Sequence, residues 1–331
     1  QERKNGFAKF VATYTKGSSL RTSFALGANT LQRILKKSAD KIEALLVQNK
    51  LTGGEDMRKK FLAFGMTAML SVGLALAGMT ACNAEKFSYD NSNRYSVGNA
   101  SMTSAVTEVE VEWLSGKVNV VYGDVEWVSF AETSAETLTD DITLHYWLDN
   151  TTLHIKYAKS GIMLTNQQYP DKELTVTLPS SISLNKIEVE SVDADITLTG
   201  LNATEIEVES IAGNIVCELA TVGELSVESV SGNVDVKVAA LTEFDVEAVH
   251  GDISLTCQQA PKRGSLDSVS GAVLLTLPKE TGFSVEIENA SGSFESEFEM
   301  VQNGNKYVCG NGENAYEIEI GTGSAKIRKG N

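Results

Sequence analysis

From about residue 186 to residue 298 the chain alternates apolar and polar side chains with a period of two, in short runs broken by glycine. That alternation marks half-buried strands with one apolar face. The runs also recur. A phrase of the form Glu-Val-Glu-Ser-Val-x-Gly-Asn-Ile occupies 188–196, 207–215, 226–234, 245–253, 265–273 and 286–294, with substitutions. Its turn position is Ala194, Gly213, Gly232, Gly251, Gly271 and Gly292, giving steps of 19, 19, 19, 20 and 21 residues.

Aligning the units produces apolar columns. Val189, Val208, Val227, Val246, Leu266 and Ile287 form one; Ile196, Ile215, Val234, Ile253, Val273 and Phe294 form another. A third runs through Leu198, Cys217, Val236, Leu255, Leu275 and Ser296. Two short strands per unit cannot enclose a private core, whereas stacked units bury a shared one. Equivalent strands then lie parallel and about 4.8 Å apart, and parallel crossovers are right-handed. The prediction is an all-β chain: a right-handed parallel β-solenoid of about 19-residue coils over 181–300, roughly 29 Å long.

The flanks read as its closures. Residues 105–180 are expected to form a β-rich N-terminal cap over the open sheet edge. Within it, 109–118 resembles a degenerate coil, and 141–157 a hairpin turning near Asn150. Residues 301–331 are expected to supply a C-terminal hairpin and a closing coil with Gly323 at its corner. The same register places Cys217 and Cys257 in the core two coils apart, about 10 Å, beyond disulfide reach. Cys309 has no evident partner.

Charge divides the chain. Residues 1–56 carry ten Lys/Arg against five Asp/Glu, whereas residues 82–331 carry 15 against 39. So acidic a body repels nucleic acid and anionic headgroups, and no nucleic-acid partner is expected. Between the two, Met57-Arg58-Lys59-Lys60 opens an uncharged apolar run that ends on Met79-Thr80-Ala81-Cys82. Residues 57–81 therefore read as a signal peptide whose end resembles a bacterial lipobox, with Met79 in place of the usual leucine. Cys82 is then the lipid attachment site, and 82–104, rich in Ser and Asn, a polar tether. A transmembrane helix of this length is the alternative. Residues 1–56 read as upstream read-through or a non-native extension, the alternative being a basic amphipathic helix around 31–46.

Candidate chemistry is sparse. His145 and His154 lie on opposite arms of the hairpin: a turn centred on 149–150 lets them share a metal, and a register shifted by one pair sets Lys156 opposite His145 instead. Ser210 and Ser229 recur by register, as corner residues do, rather than standing alone as nucleophiles. Gly321-Thr322-Gly323 lacks the strand-to-helix setting of a phosphate loop. The outward acidic column is more unusual: Glu190, Glu209, Glu228, Glu247, Asp267 and Glu288 share one register. Like charges about 5 Å apart repel by roughly 0.8 kcal/mol per pair in water. Either the carboxylates splay into solvent and serve solubility, or they form a ladder for a divalent cation such as Ca²⁺.

The phrase Val-Glu-Ser-Val-Ser-Gly-Asn-Val at 227–234, preceded by Leu174-Thr175-Val176-Thr177-Leu178-Pro179 and followed by the stretch from Ile320 to Ile327, resembles the bacterial putative-adhesin β-solenoid family. The resemblance covers about 105–331 and implies an exported lipoprotein domain with no assigned catalytic residues. The expected function is a non-catalytic cell-surface lipoprotein, extracytoplasmic and held to the envelope membrane by its lipid. It would present its acidic face to an envelope polymer or protein partner. Alternatives are an envelope-stress or signalling accessory to a membrane partner, and a polysaccharide-active enzyme.

Overall fold

The computed structural model describes residues 86–163, 170–180, 182 and 184–330. The expected signal peptide, Cys82 and residues 1–56 lie outside them. The first nine strands are β1 (Lys86–Phe87), β2 (Ser96–Val97), β3 (Ala100–Ser101), β4 (Glu108–Gly123), β5 (Ser129–Ser134), β6 (His145–Asp149), β7 (Thr152–Lys156), β8 (Ile162–Met163) and β9 (Lys172–Pro179). The rest are β10 (Leu184–Thr199), β11 (Asn202–Ala212), β12 (Ile215–Ser231), β13 (Val234–His250), β14 (Ile253–Cys257), β15 (Arg263–Leu277), β16 (Phe283–Ser296), β17 (Val301–Asn303), β18 (Lys306–Cys309) and β19 (Asn314–Lys329). Among the described residues there is no α-helix, and no helix long and apolar enough to cross a membrane.

The repeat registers as its columns require. Val189 pairs with Val208, Val208 with Val227, Val227 with Val246 and Val246 with Leu266, all in parallel. The strands are long because each runs around a corner, a first arm ahead of the glycine and a second arm behind it. Gly232 has φ +143°, and a Cβ there would sit 2.0 Å from the carbonyl oxygen of Gly213 in the coil before. Only glycine lets successive corners stack so closely. The residue after the glycine ties coils together: Asp195 Oδ1 accepts from Asn214 N (2.8 Å), Asn214 Oδ1 from Asn233 N (3.1 Å) and Asn233 Oδ1 from Asp252 N (3.0 Å). The three inward columns are fully buried up to Leu266, Val273 and Leu275; Cys217, in the third of them, and Cys257, in register with Leu219 and Val238, are buried free thiols.

Coil order departs from chain order at both ends. β19 lies between β15 and β16, parallel to each, so the expected closing coil is the penultimate layer and β16 the last. Gly264 supplies the reason. It sits opposite Phe244 on one side and Tyr316 on the other. The two rings stack across it with centroids 5.8 Å apart, and Tyr316 Oη donates to Pro261 O at 2.7 Å. Val285 of β16, placed beside Gly264, would leave that volume empty, and voids of this kind are costly. As the end coil, β16 leaves Phe294 and Ser296 only half-buried.

At the other end β4 lies between β10 and a layer made of β7 and β9. The expected degenerate coil is thus a full member of the stack. β6 closes the outer edge of β7, and β5 that of β9, both antiparallel; β2 and β3 lie outermost on β6 and β5. Residues 86–101 belong to this cap rather than to a tether: they form β1, β2, β3 and a 3₁₀ turn at Ser92–Arg94, and Phe87 and Met102 are buried.

Candidate functional site

The first arms carry polar side chains on their outer face, and the parallel register lines them up. One column runs Lys156, Glu112, Glu190, Glu209, Glu228, Glu247. It continues through Asp267, Glu319 and Glu288. All six acids expected from the sequence are present in one line. Glu112 joins it because β4 is a true coil, and Glu319 because β19 is inserted. A second column, two residues earlier, holds His154, Glu110, Glu188, Glu207, Ser226 and Asp245.

Cations neutralise the N-terminal part of this face. His154 Nδ1 lies 2.7 Å from Glu110 Oε2, which lowers the Glu110 pKa chiefly through that hydrogen bond. Lys156 pairs with Glu112. Lys186 Nζ reaches Glu188 and Glu207, both at 2.6 Å. Arg263 pairs with Glu243 at the margin. Among the described residues no lysine or arginine forms an ion pair with Glu190, Glu247 or Asp267.

These carboxyls do not splay into water. Glu209 and Glu319 are each only 6 % exposed, and Glu190, Glu247 and Asp267 are half-buried. Two positions after Glu209, Glu228, Glu247 and Asp267 stand the aliphatic Ile211, Val230, Val249 and Val269, which are buried although they stand apart from the main core cluster. This aliphatic stripe beside the carboxyls was the available sequence signal for their burial. Burial, reinforced by Glu112, Glu209 and Glu188, pushes Glu190 up to about 8. Burial and then Asp245, Glu228 and Asp267 push Glu247 to about 9. Burial followed by Glu319 and Asp245 takes Asp267 to about 8. At neutral pH these shifts favour the protonated form of Glu190, Glu247 and Asp267.

Carboxylate oxygens of Asp245, Glu247 and Asp267 lie within 4.8 Å of one another, as do those of Glu288, Glu317 and Glu319. Glu247 Oε2 and Asp267 Oδ1 are buried without a hydrogen-bond partner. Each triad would give Ca²⁺ three of the six to eight oxygens it takes. A shared proton also satisfies the geometry, since it turns two facing acceptors into a donor and an acceptor.

The histidines do not form a metal pair. His145 faces Lys156 and Trp147 faces His154, the shifted register, around a left-handed Asn150. Trp147 lies between the His154 ring, stacked at 5.4 Å, and the Arg94 guanidinium, also at 5.4 Å. Deeper in the cap Lys172 is fully buried. Its Nζ contacts Glu132 Oε2 at 2.6 Å and donates to Ile142 O (2.8 Å) and Tyr157 O (2.5 Å). Its ammonium sits 3.9 Å from the Tyr157 ring centroid and 4.7 Å from that of Trp113. Burial pushes Lys172 down to about 8 against the pull of Glu132. An open polar cleft of about 520 Å³ lies at the neighbouring corner, lined by Lys117, Asp171, Glu173, Asp193 and Asp195 among others. Burial, then Asp171 and Asp195, raise Asp193 there.

A family model described as Toastrack DUF4097 matches residues 106–247 and again 153–328. The overlap of the two matches follows from the internal repeat. No curated protein matches the chain. Solved structures similar to this chain include a putative adhesin from Bacteroides fragilis, 15 % identical over 70 % of this chain and 97 % of that one, with a TM-score of 0.42. A putative lipid binding protein from Parabacteroides distasonis is 16 % identical over 71 % and 97 %, with a TM-score of 0.41. A putative cell adhesion protein from Clostridium sporogenes is 16 % identical over 71 % and 99 %, with a TM-score of 0.34.

Proposed function

The chain belongs to the Toastrack DUF4097 family, and from that premise we propose that it is a non-catalytic surface lipoprotein. In this reading Cys82 carries the lipid outside the cytoplasm, and the acidic first-arm face binds a cationic segment of an envelope polymer or protein. The observation that carries it is the continuous carboxyl column from Glu190 to Glu288, which crosses seven coils in one register. A positively charged partner would replace protons on these carboxyls and relieve their mutual repulsion, and it would be steered by the excess of acid over base in this part of the chain.

The test is retention on native envelope fractions of the piece from Asn83 onward, beside a variant with Glu190, Glu228 and Glu247 all changed to Gln. Retention that rising salt reverses and the variant lacks supports the proposal. Equal retention of both proteins sinks the face as the binding surface. Cleavage of a glycan by the wild-type chain would replace the reading with an enzymatic one.

A further inference from the structure

The fold begins much closer to the expected lipid site than a tether running to residue 104 would allow. Lys86 in β1 stands four residues after Cys82, a span of at most about 14 Å even when fully extended. The headgroup layer is itself roughly 5–8 Å thick on each side of a bilayer. An acylated Cys82 therefore holds β1 beside the headgroups.

Exposed apolar side chains gather at that same end. Met163 is 47 % exposed and pairs with Lys86 across β1 and β8. Val97, also 47 % exposed, lies on β2, the outermost first-arm strand. Trp127, 39 % exposed, precedes Val128, whose carbonyl accepts from Met102 N beside β3. Of the large hydrophobics exposed among the described residues, only Val301 lies at the far end. The cap has no need of these side chains to seal its core, because β5 and β6 already close both outer edges. Tyr95 and Trp147 lie at this end too, half-buried, with Arg94 over the indole. Amphipathic aromatics beside a basic side chain are the composition favoured at a membrane–water interface.

We propose that the N-terminal cap is a membrane-apposed face, resting through Met163, Val97 and Trp127 on the headgroups of the bilayer that holds the lipid. The proposal rests on the lipid-anchor reading of Cys82. It gives the stack a direction: the column passes from Lys156 and Glu112 into Glu190 and beyond, so Glu190, Glu247 and Asp267 lie farther from the membrane than the ion-paired Glu112. Asp90, Asp140 and Asp141 are exposed on the cap, so the surface it fits is zwitterionic rather than anionic.

The test uses the full lipidated chain in phosphatidylcholine vesicles, with Cys309→Ser to remove the half-exposed thiol. Single nitroxide labels are placed through Met163→Cys, Val97→Cys and Val301→Cys, all at exposed positions. The proposal expects the ratio of oxygen to polar-reagent accessibility to be several-fold higher at 163 and 97 than at 301. Equal ratios at all three sites, in protein that floats with the vesicles, overturn apposition and leave the anchor standing. Protein that does not float with the vesicles takes both readings down.

Discussion

Lys172 with Glu132 in the cap, and Glu247 with Asp267 in the stack, are ionisable groups drawn out of water by the same fold and neutralised differently. In the cap a lysine meets a carboxylate at 2.6 Å, and two backbone carbonyls and two aromatic rings complete its shell. In the stack, acid meets acid and burial is balanced by protonation. The cap is a single place, so one side chain can be specified for it. The column is a repeated place, so any cation built into the unit would recur in every coil and change the charge of the whole face. What differs is the exposure of each arrangement to its surroundings: the cap pair is sealed, while Glu190, Glu247 and Asp267 keep part of their surface in solvent.

The largest effect is expected from breaking the sealed pair. Lys172→Met leaves Glu132 buried and uncompensated, and removing one partner of a buried pair costs about 3–5 kcal/mol. A urea midpoint should fall accordingly, and adding Glu132→Leu should recover most of the loss. A single substitution without effect would mean that the pair is hydrated. Next is the corner. Gly232→Ala places a methyl 2.0 Å from Gly213 O at a left-handed φ, and overpacking with backbone strain together cost about 3 kcal/mol. Ala194 carries its own side chain in the same column, so Ala194→Gly should cost well under 1 kcal/mol by comparison. That contrast would fail if both variants melted alike.

What could be read from the sequence follows the same division. The inward columns were legible because every coil presents the same neighbours, so alternation and recurrence reinforce each other. The order of the last coils was not, because β15, β16 and β19 share the register of Gly271, Gly292 and Gly323 and any of them could neighbour any other. Only the fit of Tyr316 over Gly264 resolves the order, and that is a matter of volume rather than pattern. Lys172 was illegible because Glu132, Ile142 and Tyr157 come together only in the folded cap. The column's position was legible to the residue, but its burial was not: a carboxyl on an outward register normally faces water, and the aliphatic stripe at Ile211, Val230, Val249 and Val269 was needed to say otherwise.

The column should make stability depend on pH in an unusual direction. The folded pKa values of Glu190, Glu247 and Asp267 lie near 8, 9 and 8, above the ordinary 4.5, 4.5 and 3.8. Between those limits the folded chain binds more protons than the unfolded one, so stability falls as pH rises. The contribution is complete below about pH 4 and is lost through pH 8–9. Coupling and partial hydration reduce it well below the sum of the separate shifts. A net loss of about 2–3 kcal/mol between pH 6 and pH 9 would lower the melting temperature by roughly 5–10 °C. A melting temperature that rises over that interval would contradict the proton-loaded column.

The smallest effect separates protons from metal as the neutralising agent. Glu247→Gln removes one charge, keeps the shape and adds an amide that can donate to the buried Asp267 Oδ1. If protons occupy the column, the variant should gain about 1 kcal/mol at pH 9, where the wild-type carboxyl must ionise. It should differ little at pH 6, and its pH slope should be shallower. Millimolar Ca²⁺ should then leave both melting curves in place. If Ca²⁺ occupies the Asp245, Glu247 and Asp267 triad, the same ion raises the wild-type melting temperature, most at high pH where the ligands are ionised. Glu247→Gln would then abolish that rise and destabilise the protein in its presence. The two agents thus predict opposite signs for one substitution at pH 9 with Ca²⁺ present. A melt under that condition decides whether the acidic face is a store of protons or a bed for ions.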